Sequence, residues 1–266
     1  MNAPVPWLEM WLICFALFGA GKLAALVRLG GLPWLENVKF MTLWVGMDAG
    51  AFTGLPTFQF KPPRPTEWLW TIGKIVFGVA LTWGLARHAL RLHPLLAGWV
   101  GMTGLIFCLH FGAFHLLALG WRRMGVPVEP LMNHPHLAVT LAEFWGQRWN
   151  RAYHRLTQEL VFARLSRQHG PRIALWAGFL ASGLIHELVI TVPARGGFGL
   201  PTLYFLLQAA GIALQRSPVL RRAGLHRGAL GWCWTMLCVV PPAFILFPPV
   251  FVERVMLPFL RALGAV

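Results

Sequence analysis

Three stretches of the chain contain no Asp, Glu, Lys or Arg: residues 94–121, 196–215 and 228–252, which are 28, 20 and 25 residues long. A helix crossing hydrocarbon needs about 20 predominantly apolar residues. In lipid, only structures that satisfy their own backbone hydrogen bonds survive, namely helices and closed barrels. Barrel strands alternate apolar and polar residues over about ten positions, and these runs do not alternate. The chain is therefore expected to be all-α, a polytopic helical membrane protein. Its composition agrees, with 57% hydrophobic and 12% charged residues, far below the charged fraction of soluble domains.

The formal charge of +14 would suit nucleic acid if the cations formed a patch. They fall instead between and beside the apolar runs, where positive-inside bias puts them. No nucleic-acid partner is expected. Lys22 and Lys74, near span ends, are placed to snorkel. The four cysteines, Cys14, Cys108, Cys233 and Cys238, all lie in apolar runs without a CxxC pair. They are read as small buried hydrophobes rather than disulfide or zinc ligands.

Along the chain about eight helical segments are expected in a single domain, 1–266. The first span covers about 7–27 and lacks the basic flank of a cleaved signal. Segment 34–56, with Glu36, Lys39 and Asp48, is amphipathic and either lies on the surface or dips in and returns. Spans follow near 68–86, 95–120, 172–193, 198–215 and 229–250. A Pro-containing loop occupies 121–137. The tail, 251–266, is expected to lie in the interface, anchored by Arg254 and Arg261. Arg148, Arg151, Arg155, Arg164, Arg167 and Arg172 form one basic segment, and Arg216, Arg221, Arg222 and Arg227 another. Both are expected to be cytoplasmic, with Arg195 on the far side. Arg87 and Arg91 fit this alternation less well. High Ala, Gly, Arg and Trp usage suits a GC-rich bacterial source, and so a cytoplasmic membrane.

Two segments resist a purely structural reading. The first is "ASGLIHELV", 181–189, inside a span. His186 stands fourteen residues beyond Arg172, which is roughly 20 Å of helix. Ionisable side chains at that depth face a partner or a cavity, and here two are adjacent, His186 and Glu187. Ala174, Gly178, Ser182 and His186 recur every four residues, a stripe of small side chains that permits close packing or leaves a groove. Glu187 points about 100° away, toward a neighbouring helix. A lone intramembrane histidine is commonly a donor between helices, and His110, His115 and His88 are read that way. The neutral imidazole of His186 can also act as a general base.

The second segment is "EFWGQRWN", 143–150. Read as a helix, Trp145 and Trp149 share one face. Glu143, Gln147 and Asn150 share another, which Arg151 and His154 extend. An aromatic belt with snorkelling arginines explains Trp and Arg. It leaves the polar cluster unexplained.

Together "HLAVTLAEFWGQRWN" and "SGLIHE" resemble two blocks of the wax synthase-like branch of the membrane-bound O-acyltransferases. Thr140, Leu141, Phe144, Trp145, Gly146, Arg148, Trp149 and Asn150 match the first block. Ser182, Gly183, Leu184, His186 and Glu187 match the second. Glu143 stands where Asp is usual, Gln147 for Arg and Ile185 for Met. The chain is also shorter than the plant wax synthases. The resemblance covers about 128–192.

It implies an intramembrane tunnel and transfer of an acyl group from acyl-CoA to a lipophilic alcohol, with membrane lipid around both. It implies His186 as general base, with Asn150 orienting it or bonding the oxyanion. Trp145, Arg148, Trp149, Ser182 and Glu187 are assigned to substrate binding, and the tryptophans are taken to hold their helix at the interface. Acyl-CoA is a co-substrate, and neither a metal nor another cofactor is called for. A transporter or channel using His186 and Glu187 as a proton path is the competing reading, and a degenerate lipid-binding relative a third.

Overall fold

The structure is a computed structural model and describes residues 5–54 and 62–266; the last residues of the 34–56 segment lie outside it. Among the described residues every regular element is helical. Five helices are long and apolar enough to cross a bilayer: α1 (Pro6–Leu29), α3 (Pro65–Leu90), α4 (Pro94–Arg123), α5 (Arg151–Ala194) and α7 (Gly228–Leu246). Between α1 and α3 lies the ten-residue α2 (Trp34–Leu43), and between α5 and α7 the shorter apolar α6 (Leu200–Gln215). Large apolar side chains point outward along these rods, including Val27, Trp70 and Leu92. That is the surface a helix presents to lipid, where polar groups must find partners inside.

Contacts divide the chain into two compact units, one of residues 1–14 and 133–255 and the other of 15–132 and 256–266. In the second unit, α3 and α4 meet at glycines. A Cβ on Gly78 would lie 2.7 Å from the Gly104 carbonyl, and one on Gly112 would strike Ile75. Small residues let the two backbones touch, as membrane helix pairs require.

In the same unit, Lys22 does not snorkel. It is fully buried, its Nζ donating to the carbonyls of Phe40 (2.8 Å) and Gly46 (2.7 Å) and lying 3.6 Å above the Phe40 ring. Trp44 Nε1 donates to Asp48, and Trp121 Nε1 donates to the carbonyl of Leu43. The described part of the 34–56 segment is thus a short helix followed by a 3-10 turn, Ala49–Phe52, folded over a buried ammonium. Ten residues of helix reach only about 15 Å, too short to span.

The span expected at 229–250 is present as Gly228–Leu246, its regular helix interrupted at Pro241–Pro242 between Gly228–Val239 and Ala243–Leu246. The expectation that changes is the tail, whose apolar side chains pack on protein. Val252 and Val255 are fully buried in the first unit, and Arg254 Nη1 donates to the Ala194 carbonyl (3.2 Å). In the second unit, Leu257 packs with Ala89 and Ala97, and Leu260 fills the space left by Gly101. Apolar burial outweighs the amphipathic pattern there.

Replacing Lys22 with Met should lower the thermal midpoint of the detergent-solubilised protein markedly. Two buried carbonyls would lose their donors, at a cost of roughly 2–4 kcal/mol. A midpoint unchanged from wild type would show that the ammonium does not hold the 34–52 fold.

Candidate functional site

The two sequence blocks both fall in the first unit. The first block begins with a capped turn. Thr140 Oγ1 accepts from the Glu143 N–H (3.1 Å), and Glu143 Oε2 accepts from the Val139 N–H (2.8 Å). A single helical turn, Leu141–Glu143, then widens into a π turn, Phe144–Arg148. The Trp149 N–H closes it on the Phe144 carbonyl at 2.8 Å. Trp149 is extended, and Asn150 is left-handed (φ 41, ψ 57) at the start of α5.

The four-residue face proposed for Trp145 and Trp149 is therefore not formed. The π turn spaces its donors five residues apart, and the chain leaves the helix after Arg148. Asparagine tolerates the left-handed region better than most residues, which gives Asn150 a backbone reason to be asparagine.

The tryptophans do not form a belt at this block. Trp145 donates its Nε1 to Gln208 Oε1 (3.2 Å) and sits among Phe179, Tyr204 and Phe205, with ring centroids 5.6–6.4 Å away. Trp149 stacks on Phe144 at 5.6 Å and 13°. Trp145 is held by its N–H acceptor and aromatic neighbours, and Trp149 by its stack on Phe144.

Arg148 donates its Nε to Glu143 (2.6 Å) and its Nη1 to the carbonyls of Asn133 and His134 (3.2 Å each). It thereby ties the preceding loop to the block. Burial raises the Glu143 pKa, but the Val139 N–H, the Arg148 guanidinium and the Thr140 N–H outweigh it, and the carboxyl is held below its ordinary value.

The second block lies on α5, which bends at Gly170 (φ 85, ψ 162) before Pro171. Proline removes a backbone donor, and only glycine adopts that φ freely. His186 ends the regular helix, and a π turn, Glu187–Thr191, comes next. Such turns recur at functional positions.

His186 Nδ1 lies 2.7 Å from the Ser182 carbonyl. A carbonyl only accepts, so Nδ1 carries the proton and Nε2 of the neutral ring keeps its lone pair. Ser182 thus orients His186 through its backbone, while its hydroxyl donates to the Gly178 carbonyl (3.0 Å). On the same stripe Ala174 is fully buried, whereas a Cβ built on Gly178 would meet nothing within 4 Å.

Glu187 bonds the neighbouring helix, the direction its 100° offset indicated. Oε1 accepts from the Thr202 N–H (3.1 Å) and hydroxyl (2.9 Å), and Oε2 from the Thr191 hydroxyl (2.7 Å). A carboxylate therefore caps the N-terminus of α6, where the helix dipole favours it. Just beside it the helices touch: a Cβ on Gly183 would lie 2.7 Å from the Thr202 Cα. This contact sets Phe205 against His186, with ring centroids 4.4 Å apart. Phe205 in turn touches Trp145, so one aromatic cluster joins His186 to the first block.

Three polar residues that sequence reading passed over hold the block in place. Gln208 bridges Trp145 and the Cys238 carbonyl (2.8 Å). Gln215 accepts from the Leu141 N–H (3.0 Å) and donates to the Leu225 carbonyl (2.7 Å). Thr235 donates to the Val139 carbonyl (3.0 Å). The two glutamines stand seven residues apart, two turns along one face of an uncharged run, a pattern that marks an interior seam.

Residues 128–207 match the Membrane bound O-acyl transferase family. The chain is 26% identical over 222 residues to a probable long-chain-alcohol O-fatty-acyltransferase 3 from Arabidopsis thaliana, covering 72% of this chain and 64% of that protein. To a probable long-chain-alcohol O-fatty-acyltransferase 9 from the same plant it is 31% identical, over 50% of this chain and 43% of the relative. To an acyl-CoA–sterol O-acyltransferase 1, also from Arabidopsis, it is 33% identical over 26% and 22%. The chain thus spans less than two thirds of the length of each. The chain is thus similar, over part of each, to the Membrane bound O-acyl transferase family and to long-chain-alcohol and sterol O-acyltransferases of that plant.

The Glu143 network predicts a pH signature. A carboxyl whose pKa is lowered on folding adds stability that is complete above its unfolded pKa, near 4.3 to 4.5, and is lost as pH falls through the folded value. Glu143→Gln should be less stable than wild type at pH 7, with the gap closing below about pH 4. A gap that stays constant across that window, in thermal melts at matched ionic strength, would rule out the charged network.

Proposed function

We propose that this relative of the wax synthase-like membrane bound O-acyl transferases is an acyl-CoA-dependent O-acyltransferase that esterifies a lipophilic alcohol. The observation carrying the reading is the 2.7 Å contact of His186 Nδ1 with the Ser182 carbonyl, which selects the tautomer. His186 sits deep in an apolar helix, its Nδ1 proton committed to Ser182 and its Nε2 lone pair left to accept. In the reaction the alcohol O–H gives its proton to Nε2 as the oxygen attacks the thioester carbonyl. The tetrahedral oxyanion then collapses, the C–S bond breaks, and the imidazolium returns the proton to the departing coenzyme A thiolate. The ester keeps the alcohol oxygen, and the base ends neutral.

Asn150 is assigned to the oxyanion or thioester carbonyl, where a fixed donor acts most strongly. Trp145, Trp149 and Ser182 shape the acyl side. Arg148 and Glu187 act by positioning, the first through the 133–134 loop and the second through Thr202. The open face at Gly178 is the groove assigned to the acyl chain, leading to an intramembrane tunnel. Excluding water from it suppresses thioester hydrolysis.

The arginines of 148–172 are assigned to the cytoplasmic side, where they suit coenzyme A phosphates, and the alcohol enters from the bilayer. The names of the relatives support both long-chain and sterol acceptors, and a wax ester is the product we favour. A bacterial cytoplasmic membrane is a reading from composition alone, since the three relatives are plant proteins.

A proton path through His186 and Glu187 is disfavoured, because every Glu187 oxygen is engaged in capping α6 and binding Thr191.

The decisive experiment is lipid mass spectrometry of cells with and without the protein, fed varied alcohols. New esters should form with wild type, and His186→Ala should reduce them by about two to four orders of magnitude while the protein still reaches the membrane. Near-normal ester formation by the variant would sink the mechanism.

Sidedness has its own test. In a background without the four native cysteines, an impermeant thiol reagent applied outside should label a cysteine at Gly197 and spare one at Ser166. The opposite pattern would put the basic segment outside and leave cytosolic acyl-CoA without a route.

A further inference from the structure

The second unit holds a buried imidazole that the proposed reaction does not use. His110 stands 16 residues after Pro94 and 13 before Arg123 on α4. That is roughly 24 Å and 20 Å of helix rise, close to the middle of the span. His110 Nδ1 does not serve as the donor between helices that the sequence suggests: this nitrogen is buried and makes no hydrogen bond among the described residues.

Two other helical histidines show the ordinary solution. His88 Nδ1 lies 3.0 Å from the Gly84 carbonyl, and His186 Nδ1 lies 2.7 Å from the Ser182 carbonyl, each four residues back. His110 sits inside a π turn, Phe107–Ala113. Its Nδ1 makes no such bond to the carbonyl four residues before it.

Nor does α3 supply a partner. Gly104, Cys108 and Gly112 form the face that meets α3, where Cys108 Sγ approaches the Ile75 carbonyl and glycines accept the backbone. His110 is two residues from both Cys108 and Gly112, so it faces the other way. The edge of Phe114 lies beside it, ring centroids 5.3 Å apart, with Phe107 and Phe111 on the same turn. An unpaired polar nitrogen at this depth is costly, and a hydroxyl donor would relieve that cost.

We infer that His110 Nδ1 is a binding point for a hydroxyl group carried on an apolar body, that is, a lipophilic alcohol held in the second unit by one hydrogen bond and aromatic contact. The apolar neighbours supply no counter-charge for an ionic head group, and a hydroxyl needs none. Water offers the same hydroxyl chemistry, so the test must separate the two sources. The choice of an alcohol rests on the acyl-acceptor reading.

The experiment is photolabelling of the purified full chain in nanodiscs with a diazirine-bearing hexadecanol, then peptide mass spectrometry. Label should appear on the peptide containing His110. Unlabelled hexadecanol should compete and hexadecane should not. His110→Leu should lower the labelling about tenfold, the effect of one buried hydrogen bond, and His110→Gln should restore part of it. Equal labelling in the Leu variant, or equal competition by hexadecane, would overturn the inference. Absence of label from α4 would assign the hydroxyl to water and overturn it too. Labelling is independent of turnover. His110-dependent labelling without ester formation would sink the acyl-transfer reading alone, and ester formation without such labelling would sink only this one.

Discussion

Glu187 receives the N–H and hydroxyl of Thr202 on one oxygen and the hydroxyl of Thr191 on the other. The candidate site depends on that interaction. A carboxylate in the hydrocarbon zone survives only if its lone pairs are filled by protein, and filling them fixes the start of α6 against the end of the regular part of α5. Gly183 makes the approach possible by offering no Cβ to Thr202. Phe205 then reaches His186, and Gln208 reaches Trp145. A residue adjacent to the proposed base thus builds the wall opposite it. On the proposed reaction the two adjacent ionisable residues have separate uses: His186 for its lone pair, Glu187 for its charge at a helix terminus.

Both blocks end in π turns, at Phe144–Arg148 and at Glu187–Thr191. One extra residue per turn rotates the downstream chain by about 100°. In the first block that rotation, with the left-handed Asn150, lets the chain reverse into α5 while Trp145 stays among α6 aromatics. In the second it separates the stripe carrying His186 from the residues beyond it, so that Thr191 folds back onto Glu187. The block residues are thus required by backbone geometry as well as by chemistry. Arg148, for example, donates to the carbonyls of Asn133 and His134 and so ties the preceding loop to the block.

Much of the fold was legible because membrane helices announce themselves by length and lack of charge, as residues 94–121 did. The candidate site was legible where a polar residue was too deep to ignore, as at His186 and Glu187. Other features obey rules that periodicity does not carry. A π turn inserts a residue without changing composition, so the face assigned to Trp145 and Trp149 dissolved. A tryptophan in a membrane protein serves equally as belt or as core, and only the acceptor on Gln208 decided between them. Arg254 and Arg261 made the tail look interfacial, although Val252, Val255 and Leu260 are fully buried. Lys22 looked like a snorkelling cation, yet two carbonyls and the Phe40 face hold it inside. For Trp145 and Lys22 the deciding partner is far away in sequence and is an uncharged side chain or a backbone carbonyl.

The histidines of this chain separate structural need from chemical use. A helix buried in lipid offers each imidazole one convenient acceptor, the carbonyl four residues back. Taking it satisfies the Nδ1 proton and thereby dictates the tautomer, so the lone pair is delivered to Nε2, the nitrogen farthest from the backbone. At His186 the bond that makes a polar ring tolerable in the membrane therefore also leaves Nε2 free for the base role proposed for it, with no second polar residue required to orient it. Triads in soluble enzymes use a carboxylate for this purpose, and a carboxylate at the same depth would need its own set of donors. Here the adjacent carboxylate has such a set and commits it to α6. A backbone carbonyl is the orienting group that adds no charge to hydrocarbon, which suits it to acid–base chemistry inside a bilayer.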